Sequence, residues 1–156
     1  RKAKAKGGME AISSNGVYRG RYYISEPHNL VLEYHEGVGG LEDAKLFRSI
    51  QANDPFFSPT YNLVADLRCL SIAISVSDIW QYIDFLFASS NTSVVRRTAL
   101  LTETPHQVAI ATLFQQHSRK LPQSVAVVST VGAALRWVDT DLSYADFERI
   151  VSELKR

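Results

Sequence analysis

Hydrophobic positions along the chain follow two alternating periods. Segments rich in Val, Ile, Leu and Tyr with the spacing of strands are separated by segments whose apolar residues recur every three or four positions, as on one face of a helix. Strands are predicted over residues 17–25, 30–35, 61–66, 97–102 and 124–129. Helices are predicted over residues 41–53, from 77 to about 90, and over 104–114, 130–138 and 143–155.

Small polar residues stand in front of several helical segments. Thr104 precedes Pro105, a good N-cap followed by proline at the first helical position. Ser77 with Asp78 is predicted to cap the second helix, and Thr130 and Ser143 the last two. The glycine-rich run 37–40 is predicted to end the second strand in a turn, because it lacks the glycine spacing and the lysine of a phosphate-binding loop.

The order of elements predicts the fold class. One hairpin followed by repeated strand–helix units gives an α/β fold, with a mixed, mainly parallel sheet of about five strands and helices packed against it. Residues 17–156 are predicted to form one domain, and residues 1–16 a basic and polar leader that is disordered or vector-derived. The alternative is a native basic arm that touches nucleic acid or anionic lipid.

Composition excludes some classes of protein. Hydrophobic residues make up 46% of the chain and charged residues 21%, which excludes global disorder. The net charge of +1 depends on four basic residues among the first eight, and without them 13 basic residues stand against 16 acidic ones. Beyond that leader the basic residues stand singly or in short pairs such as Arg96-Arg97 and do not form a longer cluster, so nucleic acid is not expected as a partner.

The single cysteine and the four histidines give no sign of a disulfide or metal site. Cys69 has no cysteine partner, and no histidine has a second ligand at metal-binding spacing. We therefore predict no metal and no cofactor, and a cytoplasmic location that suits a free thiol. No run of about 18 apolar residues is present, so no membrane span is predicted.

Four places in residues 17–139 form a recognisable series: the opening hairpin with its glycine-rich turn, Asp66-Leu67-Arg68, the strand from Arg97 to Leu101, and the run from Ala133 to Val138. In their order and spacing they resemble the bacterial SpoIIAA-like proteins, which look like distant relatives of STAS (anti-sigma-factor antagonist) domains. It implies the αβ sandwich also found in lipid-carrying CRAL-TRIO domains. It also implies a binding or regulatory role in place of catalysis.

The resemblance further implies a serine that is phosphorylated after the Asp-Leu strand. The nearest candidates are Ser71, Ser75 and Ser77. The family pattern is similar to Asp-Ser-Ser-Gly, whereas this chain has Ile74 before Ser75 and no following glycine. A phosphate on Ser75 or Ser77 would lie near the positive end of the second helix, but Ser77 alternatively serves only as the N-cap.

Three further residues are candidates for binding. Asp66 and Arg68 end a central strand at the edge where open α/β sheets bind ligands, and together they are able to fix an anionic group. The alternative is that Asp66 braces the following loop while Arg68 pairs with a surface acid. His106, near the start of the third helix, is either part of the site or a solvated turn histidine. No catalytic residue is assigned.

Two aromatic residues of the second helix are candidates for a partner surface. Ile79, Ile83 and Leu86 define the core face of this helix, which leaves Trp80 and Phe87 partly exposed. A homodimer through this helix is the favoured partner hypothesis, and another protein partner is possible at the same surface. The alternative is that a loop such as residues 55–57 covers both rings.

Three functions are compatible with these observations. The favoured one is a non-enzymatic binding or regulatory domain of the SpoIIAA-like type that acts through protein contacts. The second is a carrier of a small hydrophobic, lipid-like ligand in a cleft between the second and third helices, which an apolar cavity of several hundred cubic ångströms would support. The third is a hydrolase-type enzyme, which requires Asp66, Arg68, Ser75 and His106 to converge within hydrogen-bond reach.

Overall fold

The computed structural model describes residues 5–12, 16–90 and 94–156. Within these residues, six strands form one sheet in the order in which they occur along the chain. They are β1 (Ala5–Ile12), β2 (Tyr18–Ser25), β3 (Leu30–Gly39), β4 (Asn62–Ile72), β5 (Arg96–Leu101) and β6 (Gln123–Val128). The first three pair antiparallel and the rest pair parallel, which confirms the predicted mixed, mainly parallel α/β fold.

Five α-helices of the described chain cover the sheet. They are α1 (Leu41–Ala52), α2 (Val76–Ala88), α3 (Pro105–His117), α4 (Val131–Trp137) and α5 (Tyr144–Leu154). The order of elements from β2 onward is the predicted one. Helices α1, α2 and α3 connect parallel strands and share one side of the sheet, and α4 and α5 pack on the other.

The two faces of the sheet are packed differently. On the face covered by α4 and α5, the buried side chains of the strands join those of both helices in one cluster that includes Leu32, Val64 and Phe147. On the opposite face the buried residues divide into two clusters, one around Phe47 of α1 and one around Ile83 of α2. The core on this second face is therefore discontinuous.

Strand β1 departs from the sequence-based expectation. Residues 5–12 pair antiparallel with β2, with a register irregularity between Gly7 and Glu10. These residues of the predicted leader thus form a strand, residues 1–4 and 13–15 lie outside the described part of the chain, and a vector-derived origin of the leader stays a prediction. The segment contains two glycines and little apolar alternation, so its pairing depends on the edge that β2 offers and not on its own pattern.

Strand β3 continues through the glycine-rich run that was predicted to end it. Gly37 has a φ of 83° and pairs with Tyr18 on one side and Leu70 on the other. A Cβ atom at this position would overlap the Val17 carbonyl, so the close approach of the two strands requires glycine.

Three of the four predicted helix caps are correct. The side chains of Thr104, Thr130 and Ser143 accept hydrogen bonds from backbone N–H groups three residues later. The prediction that Ser77 caps α2 is wrong. Ser75 is the cap: its hydroxyl accepts from the Asp78 N–H at 3.1 Å, and the Asp78 carboxylate accepts from the Ser75 N–H at 3.0 Å. This reciprocal capping box satisfies two backbone donors, which Ser77 alone cannot do.

Candidate ligand-binding cavity

A cavity of about 450 Å³ lies between the sheet and helices α1, α2 and α3. Its walls are mainly apolar, and it lies between the two clusters of the discontinuous core. Leu63, Leu67, Leu70, Ile79, Ile110 and Phe114 are among the lining residues. Its volume is in the range of small-molecule sites in proteins.

Small residues and a bulge in β4 produce this space. Ala65 of β4 and Ala111 of α3 are buried and line the cavity, where larger side chains would fill it. In the pairing of β3 with β4, two residues of β4 stand opposite His35. Such a bulge changes which side chains face each side of the sheet, so residues 63 and 65 before it, residue 67 within it, and residues 70 and 72 after it line the cavity.

A buried carboxylate projects from β3 into this cavity. Glu33 is 1% exposed, and its two oxygens accept four hydrogen bonds. The Arg48 guanidinium donates to both oxygens, at 2.5 and 3.3 Å, while Gln51 donates to one at 2.8 Å and His35 to the other at 3.0 Å. Arg48 and Gln51 lie one turn apart on α1, so the network fixes α1 on the sheet.

The hydrogen-bond network keeps both Glu33 and Arg48 ionised. Burial opposes the charge on Glu33, but the Arg48 guanidinium and the hydrogen bond from His35 outweigh it and hold the pKa of Glu33 well below its usual range. Burial likewise opposes the charge on Arg48, and the nearby Glu33 carboxylate outweighs it and raises the pKa of Arg48. Glu33 and Arg48 are therefore a charged pair at neutral pH.

Tyr18 extends the network through His35. Burial, with a smaller contribution from Glu33, raises the pKa of the Tyr18 hydroxyl well above its usual range, so this hydroxyl stays protonated. It lies 2.8 Å from His35 Nδ1, while His35 Nε2 faces the carboxylate acceptor. The two nitrogens of the His35 ring thus connect the Tyr18 hydroxyl to the Glu33 carboxylate. A tyrosine held protonated in this way is a poor nucleophile.

Arg96 is the second cation of the cavity, and it differs from Arg48. The Arg96 side chain is partly exposed as a whole, but its Nη1 atom is shielded from solvent and has no hydrogen-bond partner among the described residues. Burial and the nearby Arg48 charge lower the pKa of Arg96 to about 10, so it remains charged at neutral pH. The cavity therefore contains one paired guanidinium and one that lacks a carboxylate.

Asp66 and Arg68 occupy the β4 bulge and do not line the cavity. Arg68 donates to the Asp66 carboxylate through Nε and Nη2, both at 2.9 Å, and through its backbone N–H at 3.1 Å. Gln107 of α3 donates to the carbonyls of Arg68 and Leu70 in the same irregular stretch. The pair thus acts as a brace of the bulge, close to the alternative that the sequence left open, although Arg68 pairs with Asp66 itself.

The other candidate residues do not converge with this pair in the described structure. Ser75 caps α2, and Ser77 lies beside it with the two hydroxyls 3.4 Å apart. His106 Nε2 donates to the Ile72 carbonyl at 2.9 Å. The convergence that a hydrolase-type site requires is therefore not formed, and phosphorylation of Ser75 or Ser77 stays a prediction.

Trp80 and Phe87 lie on the outer face of α2. They are 49% and 52% exposed. The Trp80 ring contacts His117 with centroids 4.1 Å apart, and Lys120 lies over the Phe87 ring at 4.8 Å. The loop expected to cover them packs elsewhere, since Phe57 joins the cluster around Phe47. Homodimer formation and binding of another protein through these rings stay predictions.

The polar residues of the cavity were not identified as a site from the sequence. The pattern around Glu33 and His35 held a signal, because charged or titratable residues at alternate positions of a strand covered on both faces require buried partners. The partners on α1 carried none, since Arg48 and Gln51 resemble ordinary surface residues of an amphipathic helix. Arg96 was noticed only as half of a basic pair.

Two classes of feature are not found in the described residues. No group of three or more His, Cys, Asp or Glu side chains there is arranged to hold a metal ion. None of the described helices combines the length and the apolar character needed to cross a bilayer.

Comparison with known proteins gives a fold relative and no function. No protein-family model and no curated protein matches the chain. Among solved structures, the chain is similar to an uncharacterized protein of the DUF3478 family with a SpoIIAA-like fold from Shewanella loihica. The match covers 88% of this chain and 96% of that chain, with 13% identity and a TM-score of 0.48.

Proposed function

We propose that this chain binds a small, largely apolar molecule in the cavity between its sheet and helices α1–α3. The observation that carries the proposal is the cavity itself, about 450 Å³ of mainly apolar space that separates two clusters of the core. Side chains in protein interiors normally fill such space, because each unfilled void forfeits packing contacts. Retention of the space is understandable where a ligand occupies it.

The proposal keeps the domain non-enzymatic and changes the kind of partner that was favoured. Both hypotheses describe binding without chemistry, but the cavity favours a small molecule over a protein surface. The hydrogen-bonded groups in the cavity support this view, because Tyr18 is held protonated and the Glu33 carboxylate is fully occupied. Neither is free to serve as nucleophile or base.

Native mass spectrometry of protein purified from its expression host tests the proposal. We expect an adduct that is retained under gentle conditions and lost on denaturation. In the Ala111→Phe variant, which places a ring in the cavity, we expect the adduct to decrease sharply. Wild-type protein that carries no adduct, and whose melting temperature no apolar probe raises, would contradict the proposal.

Self-association through α2 is a second proposal, compatible with the first. Val76, Trp80 and Phe87 are each about half exposed and recur at helical spacing on one side of α2. Light scattering after size-exclusion chromatography tests it, with Trp80→Glu expected to convert a dimer into a monomer. A monomeric wild type at high concentration would refute it. A cytoplasmic location also remains part of the proposal and rests on the free thiol of Cys69.

A further inference from the structure

We propose that the ligand of this cavity is a monocarboxylic acid with an apolar body, and that its carboxylate pairs with Arg96. The inference rests on the proposed function and specifies the chemical class of the ligand. The juxtaposition that supports it is a guanidinium nitrogen, shielded from water and without a partner among residues 5–12, 16–90 and 94–156, at the wall of a mainly apolar cavity.

The strand geometry directs Arg96 toward the cavity. In β5, Arg96 alternates with Thr98 and Leu100 on the side that lines the cavity, whereas Ala99 and Leu101 belong to the cluster on the opposite face. Arg97, the neighbour of Arg96, accordingly points the other way and donates to the Trp137 carbonyl of α4 at 3.1 Å. The two adjacent arginines therefore have different environments.

Neither Glu33 nor Asp43, the acidic side chains that line the cavity, forms an ion pair with Arg96 in the described structure. The oxygens of Glu33 already accept from Arg48, Gln51 and His35. Asp43, the other acidic lining residue, accepts from the Gly40 N–H at 2.8 Å at the start of α1. Buried polar groups in native proteins nearly always have partners, so a shielded guanidinium nitrogen without one points to a missing acceptor.

The charges in the cavity and its apolar walls together indicate which chemical class of ligand would pair with Arg96. One guanidinium lacks a counter-charge, and a monoanion neutralises it without leaving an excess of negative charge in a poorly hydrated space. The fork of the guanidinium matches the two oxygens of a carboxylate. The remaining walls are mainly apolar and suit a hydrocarbon or aromatic body attached to that carboxylate.

Paired probes that differ only in the acidic group test the inference. Straight-chain carboxylic acids from hexanoic to dodecanoic acid and the corresponding alcohols are titrated into protein freed of bound molecules, with binding followed by calorimetry. We expect the best acid to bind wild-type protein more tightly than its alcohol. In Arg96→Met, we expect the acid to bind about tenfold to a hundredfold more weakly, because a charge-assisted hydrogen bond is lost, while the alcohol is little affected.

Arg97→Met is the matched control, since it removes an equal charge from the adjacent position on the opposite face. We expect it to leave the preference for the acid unchanged. Arg96→Lys keeps the charge without the fork and is expected to bind the acid with intermediate affinity. Circular dichroism of each variant shows whether the fold is retained.

The outcomes separate this inference from the proposed function. If acids and alcohols bind equally and Arg96→Met changes neither, the inference is wrong while the proposed function stands. If none of the probes binds, both are wrong. A loss of acid binding that is equal in Arg96→Met and Arg97→Met would show an effect of overall charge and would also overturn the inference.

Discussion

At the scale of residues, the cavity contains two arginines whose charges are balanced differently. Arg48 is paired with the buried Glu33, and Arg96 has a shielded nitrogen without a partner among the described residues. A buried charge whose partner is removed is strongly destabilising, whereas removing an unpaired charge relieves a cost. The two side chains are therefore expected to contribute to stability with opposite signs.

We predict that Arg48→Met lowers the free energy of unfolding by about 3–5 kcal/mol, because Glu33 is left charged and buried without its main partner. Arg96→Met is predicted to raise the stability of the ligand-free protein by about 1–3 kcal/mol. Urea unfolding of protein freed of bound molecules measures both. An equal loss in the two variants would mean that Arg96 has a structural partner.

We also predict that Glu33 makes stability depend on pH in the acidic range. Its pKa in the folded chain lies well below the ordinary value of 4.5, so its contribution is complete above about pH 4.5 and is lost as the pH falls toward the folded pKa. One proton corresponds to a slope of about 1.4 kcal/mol per pH unit. Urea unfolding of wild type and Glu33→Gln should give stabilities that converge on acidification, and a constant difference would contradict the prediction.

Some features of the cavity residues could be predicted from the sequence, and others could not. The alternation of Leu32, Glu33, Tyr34 and His35 placed two polar side chains on one face of a buried strand, which is a local signal. That Arg48 pairs with Glu33, and that Arg96 Nη1 has no partner in the described part of the chain, depends on how α1 and β5 are positioned by the whole sheet. Such relations are set by packing, which a single sequence does not display.

At the scale of elements, the helices and strands that a local sequence pattern determines were predicted correctly. Those that depend on contacts with a neighbouring element were not. The five helices and five of the strands follow from period, caps and turns. Strand β1 was not predicted because it depends on pairing with the edge of β2. The full length of β4 was not predicted because the strand continues through a bulge, which is stabilised by the Asp66–Arg68 pair and by Gln107 of α3. The cavity follows from that bulge and from small side chains, so it was not predictable as a volume.

The difference between the two faces of the sheet predicts opposite responses to larger side chains. Ala99 is fully buried in the continuous cluster, and Ala111 is buried beside the cavity. Ala99→Phe should overpack its face and cost about 1–3 kcal/mol or more, while Ala111→Phe should cost little because space is available. Chemical denaturation compares the two, and an equal cost would show that the space beside Ala111 closes in solution.

At the scale of the whole molecule, the described chain combines a packed half with a half whose core is interrupted. The cluster beneath α4 and α5 joins strands β3, β4 and β5 to both helices. The cluster between α2 and α3 is separate from the one beneath α1. On the cavity face, α2 and α3 therefore share one hydrophobic cluster, whereas Phe47 of α1 belongs to the other.

This separation has a consequence for cooperativity. Parts of a protein joined by few buried contacts open in partial unfolding events of lower free energy than global unfolding. We expect α2 and α3 to exchange their amide hydrogens as one group, faster than β3, β4 and β5, in hydrogen-exchange mass spectrometry. A molecule in the cavity, or the ring of Ala111→Phe, would join the two clusters and slow that group toward the rate of the sheet. Binding of a ligand and the loss of an independently unfolding unit would then be one event.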